Sequence, residues 1–173
     1  RSQGKQFIPE GSQKQIVIDL SQLKSITNVD PKAKTAVVSA GALWSDLQFE
    51  ANKHKLAVKV MQASNVFSVG GSIGCNIHGW DYHSGMVSNT IKSMDIVNAQ
   101  GDFQTLTPKD ELFHLITGGF GLYGIVYSVT IELTDNETLQ RNAINVDPNE
   151  YANYFNQDLK DNPDTRLHLY RLS

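Results

Sequence analysis

The sequence predicts an α+β fold in which a mixed or antiparallel sheet is flanked by helices. Short β-branched segments recur along the chain, and segments with apolar residues at helical spacing lie between some of them. Hydrophobic residues make up 40% of the 173 residues. That content is enough for one domain with a core, or for one domain and part of another.

Four elements are predicted in the first third of the chain. The segments 15–20 and 35–40 are short, apolar and β-branched, as buried strands are. After the second strand, apolar residues at helical spacing predict a helix over 42–55, with Trp44 in the core. Its apolar positions are Ala42, Leu43, Leu47, Phe49 and Ala51. A brief strand is expected over 56–60.

The middle of the chain predicts a hairpin and a short helix. Residues 90–97 and 103–106 read as two strands joined by a polar turn that contains glycine. Thr107 is then expected at a helix start with Pro108 at the first position, so a helix is predicted over 110–116.

The last third contains one strong strand pattern followed by a change in composition. Residues 125–133 alternate in polarity and predict a strand, and residues 134–138 resemble a linker. Beyond the linker, strands are expected at 143–146 and 166–172, with a helix after Asp147 between them. The helix would present Tyr151, Tyr154, Phe155 and Leu159 on one face. This β-α-β tail predicts the opening of a second domain.

Charge and cysteine content exclude several classes of protein. The formal net charge is −3 without any basic block, so neither a nucleic acid nor a membrane surface is an expected partner. No apolar run approaches the roughly 20 residues of a membrane-spanning helix. Cys75 is the single cysteine, so no internal disulfide forms, and a cytoplasmic location is expected. Cys75 itself is expected to be a small buried packing residue.

Residues 119–124 spell the G-x-G-x-x-G pattern of dinucleotide-binding proteins. That pattern binds a pyrophosphate when it follows a strand and opens a helix, whereas here it follows a helix and opens a strand. A nicotinamide-binding site is therefore not expected. The glycines either permit a tight turn or contact a ligand. No Gly-Lys-Ser or Gly-Lys-Thr occurs, which excludes a Walker phosphate loop.

The stretch from Ser68 to Gly79 is the most unusual in the sequence. Its four glycines among small residues would let several backbone N–H groups point into one concavity and bind a pyrophosphate. A glycine-rich bend packed against a strand would have the same composition, and the two interpretations are equally supported by this stretch alone.

Two histidines, one carboxylate and two aromatic residues lie within residues 78–83. No metal site is expected, because the spacing does not place both histidines on one helical face and no cysteine or second carboxylate completes a ligand set. The group is better explained as the floor of a cofactor or substrate pocket. The other histidines, His54, His114 and His168, are expected to be surface or structural residues.

Taken in order, these segments resemble the FAD-binding domain of the vanillyl-alcohol oxidase and p-cresol methylhydroxylase family. The matching motifs are Ile16 to Leu20, Val38 to Trp44, Ser68 to Gly74, Asp95 to Val97 with the Gly101 hairpin, Asp110 to Phe113, and Gly118 to Val126. The resemblance implies that residues 1–134 are a partial FAD-binding domain of the p-cresol methylhydroxylase type, mainly its second subdomain. It also implies that residues 135–173 begin a substrate domain.

The resemblance assigns the cofactor FAD to the glycine motifs. It implies that Val69 to Asn76 wraps the pyrophosphate and that the segment from Gly121 to Ile125 lies along the cofactor, with the Ile125 backbone at the adenine side. The residues expected to contact FAD are Ser2, Val69, Gly70, Gly71, Ser72, Gly74, Asn76, His78, Gly79, Gly121, Gly124 and Ile125.

Two further positions refine the resemblance. The family's first phosphate loop ends in His-Ser or Arg-Ser, so the chain is expected to begin inside that loop, at Arg1 and Ser2. Some members attach the flavin covalently through a His at the place of Arg1, and an arginine there implies non-covalent FAD. The sequence around His78 is similar to the corresponding segment in the decaprenylphosphoryl-ribose oxidase and aldonolactone oxidase branches of the family. Trp80, however, replaces the lysine that is common in the decaprenylphosphoryl-ribose oxidase branch.

The implied function is FAD-dependent oxidation of a small-molecule alcohol of the sugar, polyol or lactone type, by hydride transfer to the flavin. His78 is expected on the substrate side, whereas the sequence indicates neither the catalytic base nor the electron acceptor. Two alternatives stay open: a non-catalytic domain that binds another phosphate compound, and a flavin-free fragment without activity of its own.

Overall fold

One antiparallel sheet organises the chain in the computed structural model, which describes residues 18–171. Its spatial order is β1-β2-β6-β4-β5, and β3 pairs with the far end of β6. The strands are β1 Ile26–Asp30, β2 Thr35–Ser39, β3 Leu56–Val58, β4 Ile91–Val97, β5 Phe103–Leu106 and β6 Ile125–Asp135. Every described strand pair is antiparallel, so the α+β fold is confirmed in its antiparallel form.

The helices are short. They are α1 Trp44–Asn52, α2 Val69–Gly74, α3 Glu111–Ile116 and α4 Tyr151–Tyr154, the last continued by a π-helical turn at Phe155–Leu159. A 3-10 turn at Val87–Thr90 leads into β4. Among residues 18–171, no helix has both the length and the apolar character needed to cross a membrane.

The core lies between the sheet and α1, α2 and α3. Buried apolar side chains of these elements form one cluster, whose largest fully buried members include Trp44, Leu47, Ile73, Ile96, Phe113 and Ile131. Trp44 has no exposed surface, which confirms its predicted place in the core. Phe49 departs from the predicted apolar face of α1. It is 65% exposed and has the Lys53 ammonium 4.8 Å above its ring.

The first strand of the described part of the chain lies at Ile26–Asp30. Residues 15–17 lie outside the described part of the chain, and residues 18–20 form no strand. Among residues 18–171, β1 pairs only with β2 and so lies at the edge of the described sheet, and its register shifts where Asn28 has φ +50°. An edge strand buries few side chains, so β1 carries only two apolar residues and gives a weak sequence pattern.

The two strands predicted in the tail are wrong over the described residues. Residues 143–146 and 166–171 form no strand, and residue 172 lies outside the described part. A strand pattern becomes a strand only when a neighbouring strand satisfies its backbone groups, and no described strand pairs with these segments. β6 also continues to Asp135, so part of the predicted linker belongs to the sheet. The predicted helix between the two segments is present.

The start of α3 differs from the prediction. Asp110 is the N-cap residue, whereas Thr107 and Pro108 precede the helix in a turn. The Asp110 carboxylate accepts hydrogen bonds from the Thr107 backbone N–H at 2.7 Å and the Thr107 hydroxyl at 2.9 Å. The backbone bond is the larger of the two causes that hold the pKa of Asp110 below its usual value.

Candidate cofactor site

The glycine-rich stretch forms the short helix α2, whereas a phosphate-binding loop was expected. Ser68 caps it, because its Oγ accepts a hydrogen bond from the Gly71 N–H. Each glycine disfavours a helix by about 1 kcal/mol relative to alanine, and so short a helix has little stability of its own. Val69 and Ile73 are fully buried, so α2 is stabilised by packing against the core.

The first amide groups of α2 donate hydrogen bonds inside the protein. The bonds are Val69 N–H to the Ala42 carbonyl at 2.9 Å, Gly70 N–H to the Ala40 carbonyl at 2.8 Å, Gly71 N–H to Ser68 Oγ at 3.4 Å and Ser72 N–H to the Ser68 carbonyl at 3.0 Å. The expected concavity of free N–H groups is therefore not formed by these four residues. Their bonds attach α2 to the end of β2 and to its own cap.

The two glycine motifs of the sequence lie side by side. The Gly118 N–H donates to the Ile73 carbonyl and the Phe120 N–H donates to the Gly74 carbonyl, both at 3.0 Å. These bonds join the C-terminal end of α2 to the loop that follows α3. Gly118 and Phe120 both have positive φ, +86° and +52°, so the chain turns tightly where it meets α2.

The glycines of these motifs have two different surroundings. A methyl group added at Gly70 would lie 2.8 Å from the Ala40 Cβ, so Gly70 permits the close approach of α2 to β2. By contrast, Gly71 and Gly121 are exposed, and a methyl group at Gly121 would meet no atom within 4 Å. Gly74 is half-buried, and a methyl group there would make only an ordinary contact with Phe120.

Large apolar side chains stand exposed along the chain next to this open backbone. They are Val66, Phe67, Phe120, Leu122 and Tyr123. A backbone without side chains allows close approach of a polar phosphate arm. Exposed apolar side chains beside it can cover the surface of a large planar ring system. The described part of the predicted site therefore fits FAD.

Asn76 and His78 lie in the segment that directly follows α2. Asn76 has φ +44°, and its Oδ1 accepts a hydrogen bond from the Ser88 N–H at 3.2 Å. His78 is exposed and its Nδ1 lies 3.0 Å from the Gly79 carbonyl oxygen. Because a carbonyl only accepts, Nδ1 carries the proton, and Nε2 of the neutral ring is the nitrogen that can accept a hydrogen bond.

Close packing leaves little room for a side chain at Gly79 and Gly124. A methyl group at Gly79 would lie 2.9 Å from the Met61 carbonyl oxygen. One at Gly124, which has φ +149°, would lie 3.2 Å from the Ile96 side chain. Ile125 begins β6 and lies opposite Val97 of β4. Ser2 lies outside the described residues.

The aromatic residues after His78 pack on the tail of the chain. The Tyr82 hydroxyl donates to the Leu159 carbonyl at 2.6 Å, and its ring centroid lies 5.5 Å from that of Phe155. Burial is the first cause that raises the pKa of Tyr82 above its usual value, followed by the charges of Asp81 and Asp161.

Within residues 18–171, no group of three or more His, Cys, Asp or Glu side chains is placed to hold a metal ion.

Other predicted roles can be compared directly with the structure. Cys75 is half-buried, whereas full burial was expected, because it lies at the C-terminal end of α2 where the chain reaches the surface. His54 and His114 are exposed, as expected. His168 is structural, since its Nε2 pairs with the Tyr151 hydroxyl at 2.9 Å.

Gln62 was not among the residues predicted from the sequence. It contacts Trp44 and Ser72 beneath α2, and no sequence motif surrounds it.

A shallow surface groove occurs elsewhere, between β1 and α1. Its lining residues are Lys24, Ile26, Asp46, Phe49 and Glu50. None of the residues predicted to contact the cofactor lines this groove.

Comparison with known proteins gives the family of the domain. The sequence pattern of a family described as FAD binding domain matches residues 1–107, which include α2 and the hairpin. This chain belongs to that family. FAD is accordingly the cofactor of the domain.

Individual relatives give the same assignment. The chain is 39% identical to decaprenylphosphoryl-beta-D-ribose oxidase of Mycolicibacterium smegmatis over 71% of this chain and 28% of that protein. It is 26% identical to an alditol oxidase of a Streptomyces species over 68% of this chain and 28% of the relative. The chain thus spans little more than a quarter of the length of these relatives.

A solved structure confirms the fold. The structure of BBE-like #28 from Arabidopsis thaliana superposes with a TM-score of 0.62 at 27% sequence identity, covering 69% of this chain and 25% of that protein. The antiparallel sheet with flanking helices is therefore the p-cresol methylhydroxylase type of FAD-binding fold that the sequence predicts.

Proposed function

We propose that this chain supplies one wall of the FAD site in an oxidoreductase that oxidises an alcohol of the sugar, polyol or lactone type. The observation that carries the proposal is the junction of α2 with the loop at 118–121, where glycine backbone lies open among exposed apolar side chains. The family assignment gives the cofactor, and the relatives named for oxidising a ribose derivative and an alditol suggest the substrate class.

Within that wall, different residues have different proposed roles. Gly71, Gly74 and Gly121 allow the cofactor to approach the backbone, and the side chain of Asn76 offers a polar contact beside them. The remaining described members of the predicted set hold these contacts in place by packing. They are Val69, Gly70, Ser72, Gly79 and Gly124. Ile125 is proposed to meet the adenine side, Ser2 to belong to the first phosphate loop, and Arg1 to leave the flavin non-covalently bound.

His78 is the proposed contact to the substrate. With Nδ1 donating to the Gly79 carbonyl, Nε2 can accept a hydrogen bond from a substrate hydroxyl and orient the neighbouring C–H bond. FAD, when bound, supplies the redox chemistry by accepting the hydride. The protein contributes orientation, and the exposed His78 ring is free to meet a ligand from the solvent side.

We further propose that residues 1–134 belong to the FAD-binding domain and residues 135–173 to the start of a substrate domain. The support is that β6 ends at Asp135 and that, in the described part after it, no residue joins the sheet.

Anaerobic reduction of the flavin tests the proposal in the protein that carries this chain. We expect an alditol, an aldose or an aldonolactone to bleach the visible absorption of the bound flavin. Bound FAD that none of these compounds reduces would favour a non-catalytic phosphate-binding domain. Purified protein without flavin that also fails to bind added FAD would favour the flavin-free alternative.

The same reduction measures the role of His78. We expect His78→Asn to slow flavin reduction about 100-fold in the FAD-loaded protein, because the contact to the substrate hydroxyl is lost. His54→Asn is the matched control, since His54 is exposed on the far end of α1. Equal rates in the two variants would remove His78 from the substrate site.

A further inference from the structure

A buried hydrogen-bond triad lies beneath α2. The Trp44 indole N–H is shared between the Gln62 Oε1 at 2.7 Å and the Ser72 Oγ at 2.9 Å. The Ser72 hydroxyl lies 3.0 Å from the same Gln62 oxygen and 2.9 Å from the Ser68 carbonyl, so its single proton is shared between these two acceptors. Trp44 and Ser72 are buried and Gln62 is half-buried. The Trp44–Gln62–Ser72 triad therefore joins α1, α2 and the segment after β3.

Gln62 connects two parts of the candidate site. Its side chain accepts from Ser72 on α2, whereas the carbonyl of the adjacent Met61 lies against Gly79, 2.9 Å from where a methyl group on that glycine would be. Residues 61 and 62 thus lie between the helix that carries the open glycines and the segment that carries His78. Movement of this short segment would displace both.

The triad contributes something that the apolar contacts of α2 do not. Burial of Val69 and Ile73 holds α2 against the core, and backbone hydrogen bonds attach its first turn to Ala40 and Ala42 and its C-terminal end to the loop at 118–120. Hydrogen bonds depend on angle as well as distance, so the side-chain bond from Ser72 to Gln62 adds a further constraint on the rotation of the helix about its axis. The rotation decides how Gly71 and Gly74 face the surface.

We propose that Gln62 is a positioning residue for the FAD-binding surface, acting through Ser72 on α2 and through the Met61 backbone on Gly79. The inference rests on the proposed function, because it assumes that α2 and the segment around His78 meet the cofactor. Gln62 itself touches neither cofactor nor substrate in this role. It sets the orientation of the groups that do.

The test is Gln62→Met in the protein that carries this chain. Methionine fills a similar volume without an oxygen acceptor, and the Trp44 N–H keeps Ser72 Oγ as a partner, so no buried donor is left unpaired. We expect the dissociation constant for FAD to rise about tenfold, with a changed visible circular dichroism spectrum of the bound flavin. The unfolding midpoint of the FAD-free protein should stay near that of the wild type. Gln100→Met, at an exposed turn, is the matched control.

Ser72→Ala breaks the same link from the α2 side and remains informative if Gln62→Met does not fold. We expect a similar rise in the dissociation constant, because this change removes the same connection while the Trp44 N–H keeps the Gln62 oxygen as a partner. Wild-type affinity and spectrum in either variant would overturn the inference while the proposed function stands. Wild-type protein that binds no FAD would overturn both.

Discussion

Gly70 and Gly74 lie one turn apart in α2 and face different neighbours. A methyl group at Gly70 would press into Ala40 at 2.8 Å, whereas one at Gly74 would lie 3.7 Å from the Phe120 Cα, an ordinary contact distance. Gly70 therefore has a packing role inside the fold. Gly74 has no such need, and its lack of a side chain agrees with the proposed approach of the cofactor to the backbone.

Alanine at these two glycines should have opposite effects. We expect Gly70→Ala to lower the free energy of unfolding by about 1–3 kcal/mol, because α2 must move away from β2. Gly74→Ala should keep or raise stability, by up to about 1 kcal/mol, since alanine favours a helix, but should weaken FAD binding. Denaturant unfolding of the FAD-free protein and titration with FAD separate the two effects. Gly70→Ala with wild-type stability would contradict the packing role.

Single residues differ in how well the sequence predicts them. Trp44 was predicted in the core from its helical spacing, and the structure confirms this. No local pattern distinguishes Gly70 from Gly71, because their different surroundings come from β2, which lies 30 residues earlier in the chain. Gln62 has no sequence signal at all, since both of its partners lie on other elements.

Among the elements, β6 carries an ion triad that joins it to its neighbours. The Glu132 carboxylate lies 2.8 Å from the ammonium groups of both Lys59, after β3, and Lys92, on β4. The hydrogen bond from Lys59 and then that from Lys92 hold the pKa of Glu132 below its ordinary value of 4.5. The carboxylate is partly buried, so water screens these bonds less than it would on an open surface.

This depressed pKa makes part of the stability depend on pH. A folded pKa below the unfolded one gives stability that is fully present above the unfolded value and is lost as the pH falls through the folded value. We expect Glu132→Gln to lower the free energy of unfolding at neutral pH by about 0.5–1 kcal/mol. The difference from the wild type should vanish in acid.

Denaturant unfolding over a pH series measures the effect, with Glu111→Gln as the exposed control. A gap between the Glu132 variant and the wild type that persists in strong acid would contradict an ionic origin.

Elements were predicted well where the local pattern is strong. The strand patterns of β6 and of the hairpin formed by β4 and β5 follow from burial of one face of the sheet, which gives a period of two residues. All three strands are present in the structure. β1 was missed because an edge strand buries little. The tail segments 143–146 and 166–171 have strand composition but no described strand beside them.

At the scale of the whole molecule, hydrogen bonds join the tail, residues 136–171, to the segment that follows His78. The Tyr82 hydroxyl donates to the Leu159 carbonyl, and the His168 N–H donates to the Trp80 carbonyl at 3.0 Å. Within the tail, Arg166 binds Glu137 through two hydrogen bonds. The tail thus lies against the loop that presents the proposed substrate contact.

Loss of the Tyr82 hydroxyl should loosen this attachment. We expect Tyr82→Phe to raise amide hydrogen exchange in residues 151–171 about fivefold, with the sheet unchanged, because one buried hydrogen bond is worth about 1 kcal/mol. Exchange followed by mass spectrometry measures this. Tyr123→Phe, at an exposed tyrosine, is the control. Equal exchange in the two variants would show that the hydroxyl does not hold the tail.

The amino-acid sequence was sufficient for the family, the cofactor and most elements of the sheet, because alternation, helix caps and glycine spacing act over a few neighbouring residues. The tertiary structure decided the rest. It showed that α2 is a helix with its first amides engaged, that Gly70 packs against Ala40 while Gly121 stays open, and that Gln62 contacts Trp44 on α1 and Ser72 on α2. Each of these depends on contacts between residues distant in the chain, which no local pattern records.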